Sequence, residues 1–280
     1  MSLDVLTINF NDKKAGEYFH QSLKRSGFAI IENHPIPYKL IDNVYDEWKA
    51  FFDNSLKNNY LYDKIKQDGY FPFLTENAKG SNSKDLKEFY HLFSWGRLPE
   101  LISPSTLELF HELTEMATEL LNWIQIFAPN HVKNSFNEPL KEMIADSQSN
   151  LLRIIHYPPI KDVKDPNSIR AAAHEDINLL TMLVAGTQPG LQVLDLNQEW
   201  HDVSCDPSTI IVNSGDMLKM ASEGYYPSTT HRVINPQKTD NRSRYSMPLF
   251  LHPRDDIQLN NKYTAGSYLK KRLEEIGLIN

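Results

Sequence analysis

The chain has 280 residues with 40% hydrophobic and 23% charged side chains, the profile of a globular domain large enough to bury a sizeable core. A net charge of −7 argues against a nucleic-acid footprint, and a single cysteine, Cys205, excludes an internal disulfide framework. The first residues lack a basic stretch followed by an apolar one, and no apolar run of about eighteen residues occurs, so no secretory leader or membrane span is expected and a cytoplasmic setting is.

Residues 4–10 alternate apolar and polar side chains and predict a short strand. A helix is expected from 13 to 24, with Phe19 and Leu23 on one face. Ser26-Gly27-Phe28-Ala29-Ile30-Ile31 reads as a turn into a buried strand, which Asn33-His34-Pro35-Ile36-Pro37 breaks. His34 is read as a turn residue, because no second ligand stands at a useful spacing. A helix then runs over 38–54 with Leu40, Val44 and Trp48 on its stripe. Residues 55–82 form a long polar loop, and strand-like order returns over 85–92. The clearest helix by period is 104–127, where Leu107, Phe110, Leu113, Ala117, Leu120, Leu121 and Ile124 recur at threes and fours. A loop over 128–150 encloses a short helix near 140–145.

From Asn150 the texture changes to short apolar strands: 151–159, 174–185, 191–196, 200–203, 209–213, 217–220, 231–234 and 244–251, with a loop at 160–172. Eight short strands separated by turn signals predict a jelly roll, and an amphipathic helix closes the chain at 265–276. The fold class is therefore α+β: a double-stranded β-helix core, a mixed N-terminal region and helices backing the sheet. The expected organisation is 1–100 as the N-terminal region, 101–149 as backing helix and connector, 150–255 as the core and 256–280 as the terminal helix.

Within the strand series lies Ala173-His174-Glu175-Asp176. On a strand, residues i and i+2 share a face, so His174 and Asp176 project together. Ten histidines make a chance His-x-Asp ordinary, so the pair gains meaning only from its surroundings. His231 offers a third ligand; two imidazoles and one carboxylate on one octahedral face leave three positions open, which suits non-haem Fe(II). Further on, Arg244 and Ser246 form another i, i+2 pair that presents a guanidinium and a hydroxyl to one side. Arginine grips carboxylates bidentately and stays charged when desolvated. A triad and a carboxylate anchor are the equipment of an iron enzyme that consumes a 2-oxoacid.

His174, Asp176, His231, Arg244 and Ser246 together resemble the iron(II)/2-oxoglutarate-dependent dioxygenases, in the branch related to isopenicillin N synthase. The Ser-Gly-Phe turn, apolar strand, Asn-His-Pro-Ile-Pro and following helix resemble the same family's N-terminal region, so the likeness spans most of the chain. It implies Fe(II) held by His174, Asp176 and His231, with 2-oxoglutarate and O2 as co-substrates. The far carboxylate of 2-oxoglutarate would meet Arg244 and Ser246, and Tyr157 of the Tyr157-Pro158 pair would add a hydroxyl. Oxidation, most simply hydroxylation, of a small organic substrate would follow. Phe71, Phe89, His91, Trp95 and Arg97 stand where the family has the mouth of its barrel, although aromatics at such positions also close cores. Two departures stand out. Ile155 occupies the position where many relatives carry Asn, and Ser222-Glu223-Gly224-Tyr225-Tyr226-Pro227-Ser228 replaces the usual turn before the last histidine. His201 and His252 are read as structural or surface residues, the triad being complete without them. Two other readings stay open: a related iron oxidase that does not use 2-oxoglutarate, and a non-enzymatic cupin-like binder of a small ligand. The substrate and oligomeric state have no readable code.

Overall fold

The computed structural model describes residues 5–76, 83–161, 165, 167–275 and 277–279. Asp4, residues 77–82 of the long loop, part of the 160–172 loop and Ile276 lie outside the described residues. The chain opens with β1 (Thr7–Asn9), α1 (Ala15–Ser26), β2 (Phe28–Glu32) and α2 (Tyr38–Asp53). The helix α1 stops at Gly27, whose φ of 70° glycine adopts without steric cost and whose N–H caps the Leu23 carbonyl. A 3-10 turn at Ser55–Tyr60 leads to β3 (Gly69–Phe71) and β4 (Glu88–Phe93), and then comes α3 (Ser105–Phe127). Short helices α4 (Asn130–Lys133) and α5 (Leu140–Met143) precede β5 (Leu151–Tyr157). Next are β6 (Ala171–His174), β7 (Leu180–Val184), β8 (Leu191–Leu194), β9 (Trp200–Asp202), β10 (Thr209–Ser214) and α6 (Asp216–Ala221). The chain finishes with β11 (His231–Val233), β12 (Arg244–Leu251) and α7 (Ala265–Glu275).

These strands make two sheets, one of eight in the order β1-β2-β10-β7-β12-β5-β4-β3 and one of four in the order β6-β11-β8-β9. Strand alternation gives the larger sheet two different faces. Ala29, Ile31, Leu152, Ile154, Met182, Val212 and Leu249 point to one side and pack with α1, α2 and α3 in the main core. The helix α3 contributes Leu109, Leu113, Leu120 and Ile124, all fully buried. Phe28, Ile30, Phe89, Ile155, Tyr157 and Ile211 point the other way and meet Ala171, Leu191, Val193 and Val233 of the smaller sheet. This second interior is smaller, and polar side chains interrupt it.

Three expectations are corrected. The expected loop over 55–82 contains β3, which pairs with β4 in the larger sheet. Residues 174–185 do not form one strand: β6 ends at His174 and β7 begins at Leu180. Between them the Asp176 carbonyl accepts from Asp216 N–H, that of Ile177 from Met217 N–H, and Asn178 bonds the Leu180 carbonyl through its side chain. The backbone of this turn is satisfied by the start of α6 instead of by a strand neighbour. Residues 217–220, expected as a strand, belong to α6. Met217, Leu218 and Ala221 bury one helical face there, and Asp216 sits in the first turn where a carboxylate favours a helix. Among the described residues the strand count after residue 150 is still eight, because the split of one segment offsets the loss of the other.

Candidate active site

His174 ends β6 and His231 begins β11, and the two are directly paired across the antiparallel ladder. Their rings lie 4.4 Å apart. Asp176 stands beyond the strand end, in the turn that α6 braces, so it reaches the histidines by a bend in the backbone and not by strand alternation. His174 Nε2 and His231 Nε2 are 3.9 and 3.8 Å from Asp176 Oδ1. One ligand atom from each of the three residues fits within 4.8 Å of the others. The outward atoms are tied down. His174 Nδ1 is 2.8 Å from the Ala172 carbonyl and His231 Nδ1 is 3.1 Å from that of Thr229, which turns both Nε2 lone pairs inward. Asp176 Oδ2 accepts from Thr181 Oγ1 at 2.5 Å and Asn213 Nδ2 at 2.8 Å, leaving Oδ1 to face the imidazoles.

Electrostatics fit the same picture. Burial first, then the neighbouring His231, pulls the His174 imidazole below its ordinary range. Burial opposes ionisation of Asp176, but the two imidazoles and the bonds from Asn213 and Thr181 outweigh it and hold the carboxyl below the usual range. Near neutral pH the donor set is thus an unprotonated imidazole at His174 and a carboxylate, the forms that ligate. Two imidazoles and one carboxylate, each oriented by a second hydrogen bond, fit a divalent transition metal with open coordination positions.

Arg244 and Ser246 sit on β12, on the inner face of the larger sheet, with Arg244 paired to Tyr157 and Ser246 to Ile155 on β5. Arg244 is 2% exposed. It donates to the Gln188 carbonyl at 3.0 Å and to Ser246 Oγ at 3.1 Å, and its guanidinium lies 5.2 Å from the centre of the Tyr157 ring. Gly186 makes room for it: a Cβ there would stand 2.6 Å from an Arg244 terminal nitrogen. Ile155 is buried in the inner cluster as part of an apolar wall.

Beside the triad opens a cavity of about 390 Å³. The sequence reading placed five residues at its mouth, and the structure sorts them. His91 lines the cavity. Phe71 and Phe89 stack on each other, 4.4 Å apart, just behind it. Arg97 is drawn off to Asp68, and Trp95 is half exposed with its N–H on the Gln148 carbonyl. Glu76, Arg153 and, from α7, Leu269, Arg272 and Leu273 had escaped notice; Asp85, Lys87 and His252 line the cavity as well. Arg153 was within reach of sequence reasoning, since on β5 it shares the face of Ile155 and Tyr157. Its guanidinium lies over the Phe89 ring at 4.6 Å, bonds His91 Nε2 at 2.9 Å and pairs with Glu76 at 3.4 Å. Lys87 completes the wall against Glu76 at 2.7 Å and Asp85 at 2.8 Å. Burial first and Arg153 second hold His91 well below the ordinary imidazole range, so it is neutral and accepts from Arg153.

The remaining histidines differ from one another. His34 is buried in the turn before α2, stacked edge-on to Tyr38 at 5.4 Å. His201, with Asp195 and Glu199, forms a second cluster of ligand type in the β8–β9 hairpin. There the Asp195 carboxylate is taken up by the backbone N–H groups of Asn197 and Glu199 and by His201, a turn-forming use. His252 is no surface residue: it is buried, lines the cavity and is pulled down to about 4 by burial.

Comparison with known proteins gives the family. The pattern of the 2OG-Fe(II) oxygenase superfamily matches residues 148–253, and that of the non-haem dioxygenase N-terminal region, described from morphine synthesis, matches residues 3–104. A structure assigned as an oxygenase from Shewanella oneidensis is 45% identical, covers 100% of both chains and superposes with a TM-score of 0.88. A structure assigned to the 2OG-Fe(II) oxygenase family from Caulobacter crescentus is 31% identical over 98% of this chain and 99% of its own, with a TM-score of 0.77. Leucoanthocyanidin dioxygenase of Petunia hybrida is 28% identical over 90% of this chain, which spans 60% of that enzyme's length. No helix among the described residues is long and apolar enough to cross a membrane. The chain belongs to the 2OG-Fe(II) oxygenase superfamily, the non-haem dioxygenases that use Fe(II), 2-oxoglutarate and O2.

Proposed function

We propose that this protein couples oxidative decarboxylation of 2-oxoglutarate to oxidation, most simply hydroxylation, of a small organic substrate held in the cavity beside His174. The observation that carries this is the convergence of His174, Asp176 and His231 with their outward atoms fixed. The two sheets are read as the halves of a double-stranded β-helix, the eight strands after residue 150 supplying the core and the inner faces enclosing the site. Bound Fe(II) supplies the oxidising chemistry: 2-oxoglutarate and O2 yield succinate and CO2, and one oxygen atom passes to the substrate. The chain supplies position. His174, Asp176 and His231 hold the metal, and Thr181 and Asn213 keep the Asp176 carboxylate turned towards it. Arg244 and Ser246 receive the far carboxylate of 2-oxoglutarate, and the Tyr157 hydroxyl contributes a further hydrogen bond. The Glu76–Lys87–Arg153–His91 wall presents fixed polar groups to the substrate, while Leu151, Phe250, Leu269 and Leu273 exclude water from the reacting side. A cytoplasmic setting is part of this reading; its support is the lone cysteine.

The test is succinate release from 2-oxoglutarate under O2 with Fe(II) added, in the wild type and in His174→Ala, Asp176→Ala and His231→Ala. Wild type is expected to form succinate and all three variants to lose both turnover and tight Fe(II) binding while staying folded. Turnover and iron binding kept in all three would end the assignment. O2 uptake without succinate would move the protein to the iron oxidases that use no 2-oxoacid.

A further inference from the structure

Arg170 stands just ahead of β6, the strand that carries His174. It is among the most deeply buried large side chains in the protein, 1% exposed. One terminal nitrogen donates to the Arg242 carbonyl at 2.5 Å, while its Nε is buried with no hydrogen-bond partner. Arg244 approaches from the opposite sheet, and its own bonds go to neutral groups, the Gln188 carbonyl and Ser246 Oγ. The two guanidinium carbons lie 6.0 and 5.2 Å from the centre of one ring, that of Tyr157. No described carboxylate acts on Arg170: burial pulls it down to about 10, Arg244 pulls in the same direction, and Tyr157 alone opposes them.

Two buried cations beside one tyrosine ring are costly, since each loses hydration and neither pairs with an anion among the described residues. A nearby aromatic face offsets only part of that cost. The unused Nε donor of Arg170 is the kind of group that a ligand oxygen satisfies.

We propose that Arg170 is a second anchor for the far carboxylate of 2-oxoglutarate, gripping it from the smaller sheet while Arg244 and Ser246 grip it from the larger one. This rests on the co-substrate reading above. It makes the pocket selective for a 2-oxoacid that is a dicarboxylate, and it leaves the protein without ligand strained by repulsion between the two guanidiniums. The consequence is a pair of effects with opposite signs. Removing the Arg170 charge weakens 2-oxoglutarate binding and does not lower the heat stability of the ligand-free protein. A residue that merely braced the Arg242 carbonyl would do the reverse.

The experiment loads wild type, Arg170→Met and Arg170→Gln with Mn(II) in place of Fe(II) and titrates 2-oxoglutarate while following the melting temperature. Both variants are expected to bind Mn(II) as wild type does and to lose about tenfold or more in 2-oxoglutarate affinity, as for one partner of a buried charged pair. Their ligand-free melting temperatures are expected at or above the wild-type value. Unchanged 2-oxoglutarate affinity in the variants would overturn the proposal, and so would a drop in ligand-free stability with affinity kept. If 2-oxoglutarate fails to stabilise Mn(II)-loaded wild type, the co-substrate reading itself falls. A crystal structure of wild type with Mn(II) and 2-oxoglutarate decides the matter without a variant. An Arg170 nitrogen within about 3.2 Å of the far carboxylate is expected, and a carboxylate touching only Arg244 and Ser246 would overturn it.

Discussion

On the proposed co-substrate reading, Arg244 is the residue whose chemical identity would matter most after the triad. Its planar fork can hold both oxygens of a carboxylate, whereas lysine offers one compact charge on a flexible stem. Arg244→Lys keeps the charge, so its expected cost lies in the lower half of the roughly 2–5 kcal/mol for spoiling a buried charged pair. The apparent constant for 2-oxoglutarate is expected to rise some tens-fold at about 1.4 kcal/mol per tenfold, with iron affinity nearly unchanged. Succinate formation against 2-oxoglutarate concentration measures it, and an unchanged curve would remove Arg244 from the co-substrate. Tyr157→Phe removes one hydroxyl and should cost only about 0.5–1.5 kcal/mol of the same affinity. Loss of iron with co-substrate affinity kept would mean that the tyrosine serves the metal instead. These side chains were legible because their spacing is short or motif-like. Arg170 and His252 were not, since nothing local says that a lone arginine or histidine turns inward. Arg153 lay between these cases, because strand alternation from Tyr157 already assigned its face.

At the scale of elements, the turn from α1 to β2 ties the helical layer to the site. Gly27 has a φ of 70°, and a Cβ there would stand 2.5 Å from Thr229 Oγ1 and 2.8 Å from the Pro227 carbonyl. Its own carbonyl accepts from Ser214 N–H, and the Thr229 carbonyl orients His231. Gly27→Ala is therefore expected to cost about 1–3 kcal/mol of stability and also to loosen metal binding by displacing the support of His231. Gly224, with a φ of 85° and open space around its Cβ position, is the control: Gly224→Ala carries the backbone strain alone. Urea unfolding and Fe(II) titration of both variants check this, and equal metal affinity in the two would break the proposed link to His231. The periodic helices were readable from the sequence, because buried residues at threes and fours need no distant information. The break at 175–179 and the helix α6 were not, because the backbone groups of each are satisfied by the other.

The whole molecule is held by pairings between distant parts of the chain. The larger sheet draws strands from β1 to β12, and α1, α2 and α3 back one of its faces. Both N-terminal strand pairs extend that sheet at its edges, β1 and β2 at one and β4 and β3 at the other. A resemblance of sequence can suggest such a plan, but registers such as His231 opposite His174 come only from the folded chain. That single register has a kinetic side. The smaller sheet is built of strands of three or four residues, with an irregularity between His231 and Val233. Short strands with few neighbours open by themselves more readily than the main core. On the proposed reading, a metal held by one residue of β6 and one of β11 would rivet the two strands at the point where they pair. Metal at about a hundred times its dissociation constant stabilises the closed form by about 2.7 kcal/mol, a roughly hundredfold slowing of local opening. Amide hydrogen exchange with and without Mn(II) is expected to slow by that order in β6, β8 and β11 and hardly at all in β5, β7 and β12. Uniform slowing, or none, would contradict it. Loss of the ion would then loosen the front wall of the cavity on the exchange timescale long before the helix-backed sheet gives way.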